Sequence, residues 1–251
     1  MKASLLLSFF CALTLGSAPS IATPKEEKQA ISPAANAKLE YRLSFSHKHV
    51  QFLGDSTIDW STALASVGRH QYKIQIRTNA QLIGRLYSAT SEGYIEDSGL
   101  APTIFSEVRL GKSPKHLHFN YQTGKLQISS PTQEIKLLPN TQDIMSTIWQ
   151  MGFELQHAKD LLQSKQNTKF AIAAGRAIEK WEVNKTEKVQ QLTALGPMQT
   201  WHVQASPLNS RLKKQIEVWF APSLDFHPVR IRFQEPNGDY IEQRLVKVQT
   251  R

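Results

Sequence analysis

A two-residue period in hydropathy returns along almost the whole chain, and it constrains the fold more than any other feature. Leu39, Tyr41, Leu43 and Phe45 alternate with Glu40, Arg42, Ser44 and Ser46. Successive side chains of an extended chain point to opposite faces, so this run has one apolar and one polar face. The period recurs at Ile58, Trp60 and Leu64 and at Tyr72, Ile74 and Ile76, two runs joined across Gly68. Leu117, Phe119 and Tyr121 turn at Thr123-Gly124 into Leu126 and Ile128, which predicts a hairpin. After residue 165 come Phe170 and Ile172, Trp181 and Val183, then Trp201, Val203 and Ala205. Ile216, Val218 and Phe220 follow, then Val229, Ile231 and Phe233. Asn237-Gly238 is the strongest turn signal and closes a final hairpin onto Tyr240–Val248. Most runs are separated by Gly, Pro or Asn clusters, with no long helical crossover. That pattern builds an antiparallel meander with one polar face, not a parallel α/β sheet.

One segment departs from it. Over 141–163, Ile144, Ile148, Met151, Leu155, Ala158 and Leu162 fall at helical spacing. At 100° per residue these six lie within about 40° of one line. Asn140 or Thr141 is the expected cap, with Asp143 in the first turn. Met145, Trp149, Gly152 and Phe153 form a second apolar arc roughly 80–180° away, which becomes Gln156 and Asp160 further along. The helix is therefore expected to be enclosed on two sides near its start and on one near its end. A sheet curling around a helix does this; a flat sheet does not. The predicted fold is mostly β: a single curved antiparallel sheet, a half-barrel meander, wrapped around one main helix. Trp60, Tyr72, Met145, Trp149, Met151 and Phe153 would face inward, either as core or as the lining of a cavity for a lipid-like ligand.

The first residues bear on location. Met1-Lys2 is a short basic start, Ala3 to Leu15 an apolar run, and Ser20-Ile21-Ala22 places small residues where a signal peptidase reads. Residues 1–22 read as a signal peptide cleaved after Ala22, and the destination is the periplasm. Cys11, the single cysteine, lies inside it after Phe10 and is expected to be discarded, not lipidated. Removing 22 of 251 residues leaves 229 without cysteine and lowers the formal charge from +9 to +8. An exported chain without disulfides fits a bacterial envelope better than the eukaryotic secretory route. At that size a domain buries roughly 70% of its unfolded surface, enough to hold without covalent staples. Residues 23–37 are polar and proline-punctuated and read as a flexible lead-in to one domain over 38–251. No second apolar run reaches the length of a membrane span.

The basic balance points to anionic lipid head groups or other acidic envelope polymers. Lysines and arginines are scattered, without the clustering or aromatic interleaving of a nucleic-acid face, so no nucleic-acid partner is expected. Two H-x-H pairs, His47/His49 and His116/His118, have spacing a zinc site can use, but no third ligand accompanies them. Ser210 to Lys213 is an S-x-x-K without its usual companion motifs. No G-x-S-x-G elbow and no phosphate-cradling glycine loop occur. Asp55, Asp59, Glu92, Glu96 and Asp97 do not single out a catalytic pair. The expectation is a non-enzymatic protein without cofactor or metal.

Several stretches together resemble an uncharacterised periplasmic family, a domain of unknown function found mainly in proteobacteria. They are "LEYRLSF" at 39–45, "IDW" at 58–60, "SEGYIEDSGLAPTIFSE" at 91–107, "TQDIMSTIWQM" at 141–151 and "IEVWFAPSLDFHPVRIRF" at 216–233. The motifs within them are the Gly99-Leu100…Pro102 turn, the Asp143/Ser146 helix start, and Trp219, Pro222 and Pro228–Ile231. The resemblance implies a curved sheet around a helix, similar to the lipoprotein-localisation carriers, which shelter acyl chains in a half-barrel. It implies no activity and no site residues. The expected function is an apolar-ligand carrier or chaperone-like protein of the envelope. The alternative is a filled-core module that docks an envelope protein; a metal-assisted hydrolase ranks third.

Overall fold

The computed structural model describes residues 33–48, 50–65, 68–81, 83–129, 132–157, 168–209 and 214–251. The expected signal peptide, its cleavage site, the lead-in up to residue 32 and residues 158–163 of the expected helix lie outside these.

Two meanders share one sheet. The first comprises β1 (Ala37–His47), β2 (Val50–Leu64), β3 (His70–Ala80), β4 (Gly84–Glu96) and β5 (Gly99–Arg109). It continues with β6 (Lys115–Asn120), β7 (Lys125–Ser129) and β8 (Thr132–Lys136). A short β9 (Thr141–Gln142) leads into α1 (Ile144–His157). The second meander follows: β10 (Lys169–Ala174), β11 (Ala177–Thr193), β12 (Gly196–Pro207), β13 (Gln215–Ala221), β14 (His227–Gln234) and β15 (Tyr240–Thr250). Pairing of β1 with β15 joins the two, giving the order β8-β7-β6-β5-β4-β3-β2-β1-β15-β14-β13-β12-β11-β10-β9. Neighbours are antiparallel throughout, except that β9 runs parallel to β10. The expected half-barrel is therefore present, and it stays open. Its edge strands β8 and β9 do not pair, although Gln133 Nε2 donates to the Arg176 carbonyl at 3.3 Å nearby.

Curvature has a local cause. Pairing registers shift at Glu40/Tyr41, Thr78/Asn79, Glu92/Gly93, Val183/Lys185 and Trp219/Phe220. Each such irregularity bends its strand and increases the local twist. The inward sets are those of the two-residue period: Leu39, Tyr41 and Leu43; Ile58 and Trp60; Leu117, Leu126 and Ile128; Val203 and Ala205; Val218 and Ile231, all buried. Each fully buried aliphatic side chain contributes about 1.5–3 kcal/mol, so the closed face is the main source of stability. Leu64 and Tyr121 share inward parity but stand at strand ends beyond the core and are exposed. The last residues of the expected lead-in are held in place. The Asn36 side chain accepts the Thr62 N–H at 2.7 Å, the Trp60 indole donates to the Ala34 carbonyl, and Ala37 already belongs to β1.

The helix is enclosed as its two apolar arcs require. Every residue from Met145 to Gly152 is buried, whereas Phe153, Glu154 and Gln156 are half-buried and His157 exposed. Its cap differs from the expectation. Thr141 and Gln142 are spent on pairing with β10, so Asp143, one residue before the helix, takes the role.

Candidate ligand groove

The helix start is fixed first. Asp143 Oδ1 accepts the N–H groups of Met145 and Ser146 at 2.8 and 2.9 Å, and Ser146 Oγ accepts the Asp143 N–H in return. These bonds satisfy helix-end donors that would otherwise lack partners. Oδ2 accepts the Ser91 hydroxyl at 2.6 Å. Ser91 has one proton and gives it to Asp143, so Tyr72, 3.1 Å away, donates to Ser91. Asp143 is wholly buried, and burial pushes its carboxyl above the usual range despite these hydrogen bonds. The chain Tyr72–Ser91–Asp143 thus ties the helix to β3 and β4.

A second tie holds the β4–β5 turn. Gln150 Oε1 accepts the Leu100 N–H at 2.7 Å, its Nε2 donates to the Ser98 carbonyl, and Gln142 Nε2 donates to the Leu100 carbonyl. Gly99 sits at φ +110, and a Cβ there would lie 2.1 Å from Gln150 Oε1. Gly99→Ala should therefore cost about 2–4 kcal/mol from strain and overlap, read as a lower urea midpoint. An unchanged midpoint would mean that the Gln150 clamp is not formed.

Of the six inward residues named from sequence, four come together. Tyr72, Trp60 and Trp149 form a stacked column with centroids 6.0 and 5.9 Å apart, and Phe153 lies beside the two indoles. Met145 and Met151 are buried on the helix without lining that space. Between Trp60, Trp149, Phe153, Phe226 and His227 remains a void of about 20 Å³, room for roughly one water molecule. The column is packed core. His227 Nε2 donates to the Ala35 carbonyl at 2.9 Å, and burial lowers its pKa.

On the other side of Phe226 the surface opens into a groove of about 450 Å³. Leu155 of the helix, Trp201 of β12, Pro222 and Phe226 give it apolar walls, and Lys188 and Gln199 border it. Lys188 Nζ stands 4.8 Å from the Trp201 ring centroid. Phe226 is presented by an unusual turn after the 3₁₀ segment Pro222–Leu224, with Asp225 and Phe226 both left-handed, at φ +48 and +58. A bulky residue there is strained and persists only where surrounding structure enforces it. The enforcing contacts are the Phe226 N–H to the Ala221 carbonyl and the close approach of Gly152 to the Phe226 carbonyl.

The groove lies where β11 and β12 outrun the sheet. β10 flanks β11 only over Ala177–Glu182, and β13 flanks β12 only over Trp201–Ala205. The pairs from Val189/Thr200 to Thr193/Gly196 therefore form a two-stranded arm, with Leu192 and Leu195 exposed near its tip.

The outer face carries a separate polar cluster. Trp219 is sandwiched between the His202 ring at 4.2 Å and the Arg230 guanidinium at 4.2 Å. His202 sits between Glu187 and Glu217, at 3.3 and 3.0 Å. Arg230, Arg232 and Arg244 all donate to Glu242. The sequence pattern around Trp219, Pro222 and Pro228–Ile231 thus builds this stack and the turn that carries Phe226.

Other sequence candidates are dispersed. His116 and His118 are exposed on β6, with His116 Nδ1 2.8 Å from Ser106 Oγ. The side chains of His47 and His49, and Ser210 to Lys213, lie outside the described residues. Among the described residues no group of three His, Cys, Asp or Glu could hold a metal, and no helix is long and apolar enough to cross a membrane. The sequence reading missed the groove because its parts come from four distant segments. The one local signal was Trp201 facing Lys188 in the register of a hairpin.

Residues 40–246 match the family described as "Protein of unknown function (DUF3108)". No curated protein matches the chain significantly in sequence. Among solved structures, a β-barrel-like protein of the domain of unknown function DUF1849 from Brucella abortus aligns with a TM-score of 0.57. It is 10% identical over 87% of this chain and 99% of that one, a likeness of fold alone. The Pseudomonas aeruginosa MucA/MucB complex aligns at 0.32 and 8% identity, over 86% of this chain and 51% of that one. A putative outer membrane lipoprotein-sorting protein domain from Vibrio parahaemolyticus aligns at 0.25 and 6%, over 86% of each chain. Neither of these two scores supports an argument about function.

Proposed function

The chain belongs to the DUF3108 family of proteins of unknown function, and from its groove we propose a non-enzymatic, exported binding protein for an apolar, lipid-like ligand of the cell envelope. The carrying observation is the groove of about 450 Å³ walled by Leu155, Trp201, Pro222 and Phe226. Ligand pockets of roughly 300–1,000 Å³ with mostly apolar walls and a few polar groups have this character. The ligand lies beside the helix end and not around Trp60 and Trp149, where packing leaves about 20 Å³. Export is supported by the signal-like residues 1–22, and an anionic envelope surface suits the formal charge of +8 left after their removal.

A second reading, docking of an envelope protein, is favoured by the two-stranded arm and its exposed Leu192 and Leu195. One experiment separates them: the chain expressed with its own leader, recovered from the periplasm, and weighed by native and denaturing mass spectrometry. A polypeptide starting at Thr23, with an extra mass lost on denaturation and extracted as an apolar small molecule, is the expected result. A bare chain held by a stoichiometric protein would replace the carrier by the docking module. A retained leader would remove the export assignment.

A further inference from the structure

Resting on the binding reading above, we propose that the groove is selective for a single-chain amphiphile with an anionic head group, the head held at Lys188 and Gln199. The register of the arm sets which side chains share a face. Lys188 pairs with Trp201, Gln190 with Gln199 and Leu192 with Pro197, so these side chains share the inner face, with Thr186 opposite Val203. Lys188 is the one charged residue in this set. The carboxylate of Glu187 belongs to the outer face, where it meets His202 at 3.3 Å and Lys185 at 2.8 Å. Lys188 has no ion pair with any described residue and instead lies over the Trp201 ring.

Among the described residues the groove therefore combines one cation without an ion pair and apolar walls. Trp201 belongs to both parts, since its ring meets the lysine and also lines the groove. Gln199 adds an exposed amide that can donate to an oxyanion. Leu155 and Phe226 continue the apolar surface toward the helix end. An apolar chain with a neutral head would fill the walls and leave the lysine without a partner. A carboxylate or phosphate head satisfies both halves, and these two heads share the required chemistry. Phe226 closes the inner end, because it also lines the packed void on its far side. The chain is thereby stopped before the Trp60–Trp149 stack.

The test is calorimetric titration of the purified mature chain with dodecanoate, dodecyl phosphate and dodecyl maltoside, each below its micelle concentration. Both anionic probes should bind about tenfold more tightly than the maltoside, with the advantage shrinking as salt is raised. Lys188→Gln should erase that advantage, bringing the affinity of both anionic probes down to that of the maltoside for the same variant. Gln199→Glu, which places a carboxylate at the head position, should weaken the anionic probes in the same selective way. Both positions are exposed, so the variants should fold, and circular dichroism checks this. Dodecanoate against dodecyl phosphate then tells which head is preferred. Equal binding of all three probes, or an anionic preference that survives Lys188→Gln, would overturn the head-group assignment while leaving an apolar-ligand protein. No binding of any probe by folded protein would overturn the binding reading itself.

Discussion

Asp143→Ala is expected to lower the free energy of unfolding by about 3 kcal/mol, the sum of a lost helix cap and of unpaired buried donors. Two helix N–H groups and the Ser91 hydroxyl lose their acceptor together, in a site from which water is excluded. The gain from no longer burying a carboxyl offsets part of this, which is why the figure is not larger. Asp143→Asn keeps the Oδ1 acceptor and should cost less than half as much. It also isolates a pH effect. Burial holds the folded carboxyl above its ordinary value of 3.8, so the folded chain binds this proton more tightly than the unfolded chain does. The resulting stability is present below the unfolded value and is lost as pH rises through the folded one. Denaturation midpoints taken from acid to neutral pH should show this decline in the wild type and its absence in Asp143→Asn. Identical pH profiles would mean that Asp143 keeps an ordinary pKa in the folded chain.

Glu242→Ala should cost about 2–4 kcal/mol at neutral pH, because it strips the shared partner from three guanidiniums. The Glu242 side chain is 5% exposed, whereas those of Arg230, Arg232 and Arg244 are 20, 26 and 54% exposed. Solvent around the arginines screens their mutual repulsion and keeps the cost below that of a fully buried pair. The loss should reach Trp219, whose ring is sandwiched between Arg230 and His202, and appear as a red shift of its emission. The sign with pH is opposite to that of Asp143. Burial raises the Glu242 pKa, but hydrogen bonds from the three arginines outweigh it and hold the group below 4.5. Hydrogen bonding from His202 does the same for Glu217. Stability from both is complete above the unfolded value and is lost as pH falls through their folded values. A Glu242→Ala protein with wild-type stability and emission would show that the arginines do not depend on this carboxylate.

The strands that the alternation made legible share a property: their inward residues are large. β4 and β5 escaped because β4 turns Ala89, Ser91 and Gly93 toward the helix, and such small or polar residues leave no hydropathy period. They are small where the helix start comes close, and Ser91 is there to bond Asp143. The cap was misplaced by two or three residues for a related reason. Asn140, Thr141 and Asp143 are all suitable caps in sequence, and only pairing of Thr141–Gln142 with β10 leaves the role to Asp143. Of the aromatics expected to face inward, Trp60, Tyr72 and Trp149 are buried and Phe153 is half-buried. Whether they line a hollow or fill it depends on interlocking shapes that no local pattern records.

By itself the sequence determined the period of the strands, the position of the helix and its two apolar arcs, because these follow from which neighbours share a face along one element. Tertiary structure alone decided that the Trp60–Trp149 stack is filled and that space remains beyond Phe226. It also decided that Lys188 borders that space with no ion pair to any described residue. Those outcomes depend on how far β11 and β12 outrun β10 and β13, and on a left-handed turn that sets one phenylalanine between void and groove. Distances between residues far apart in the chain are set by packing, and packing is a property of the whole sheet.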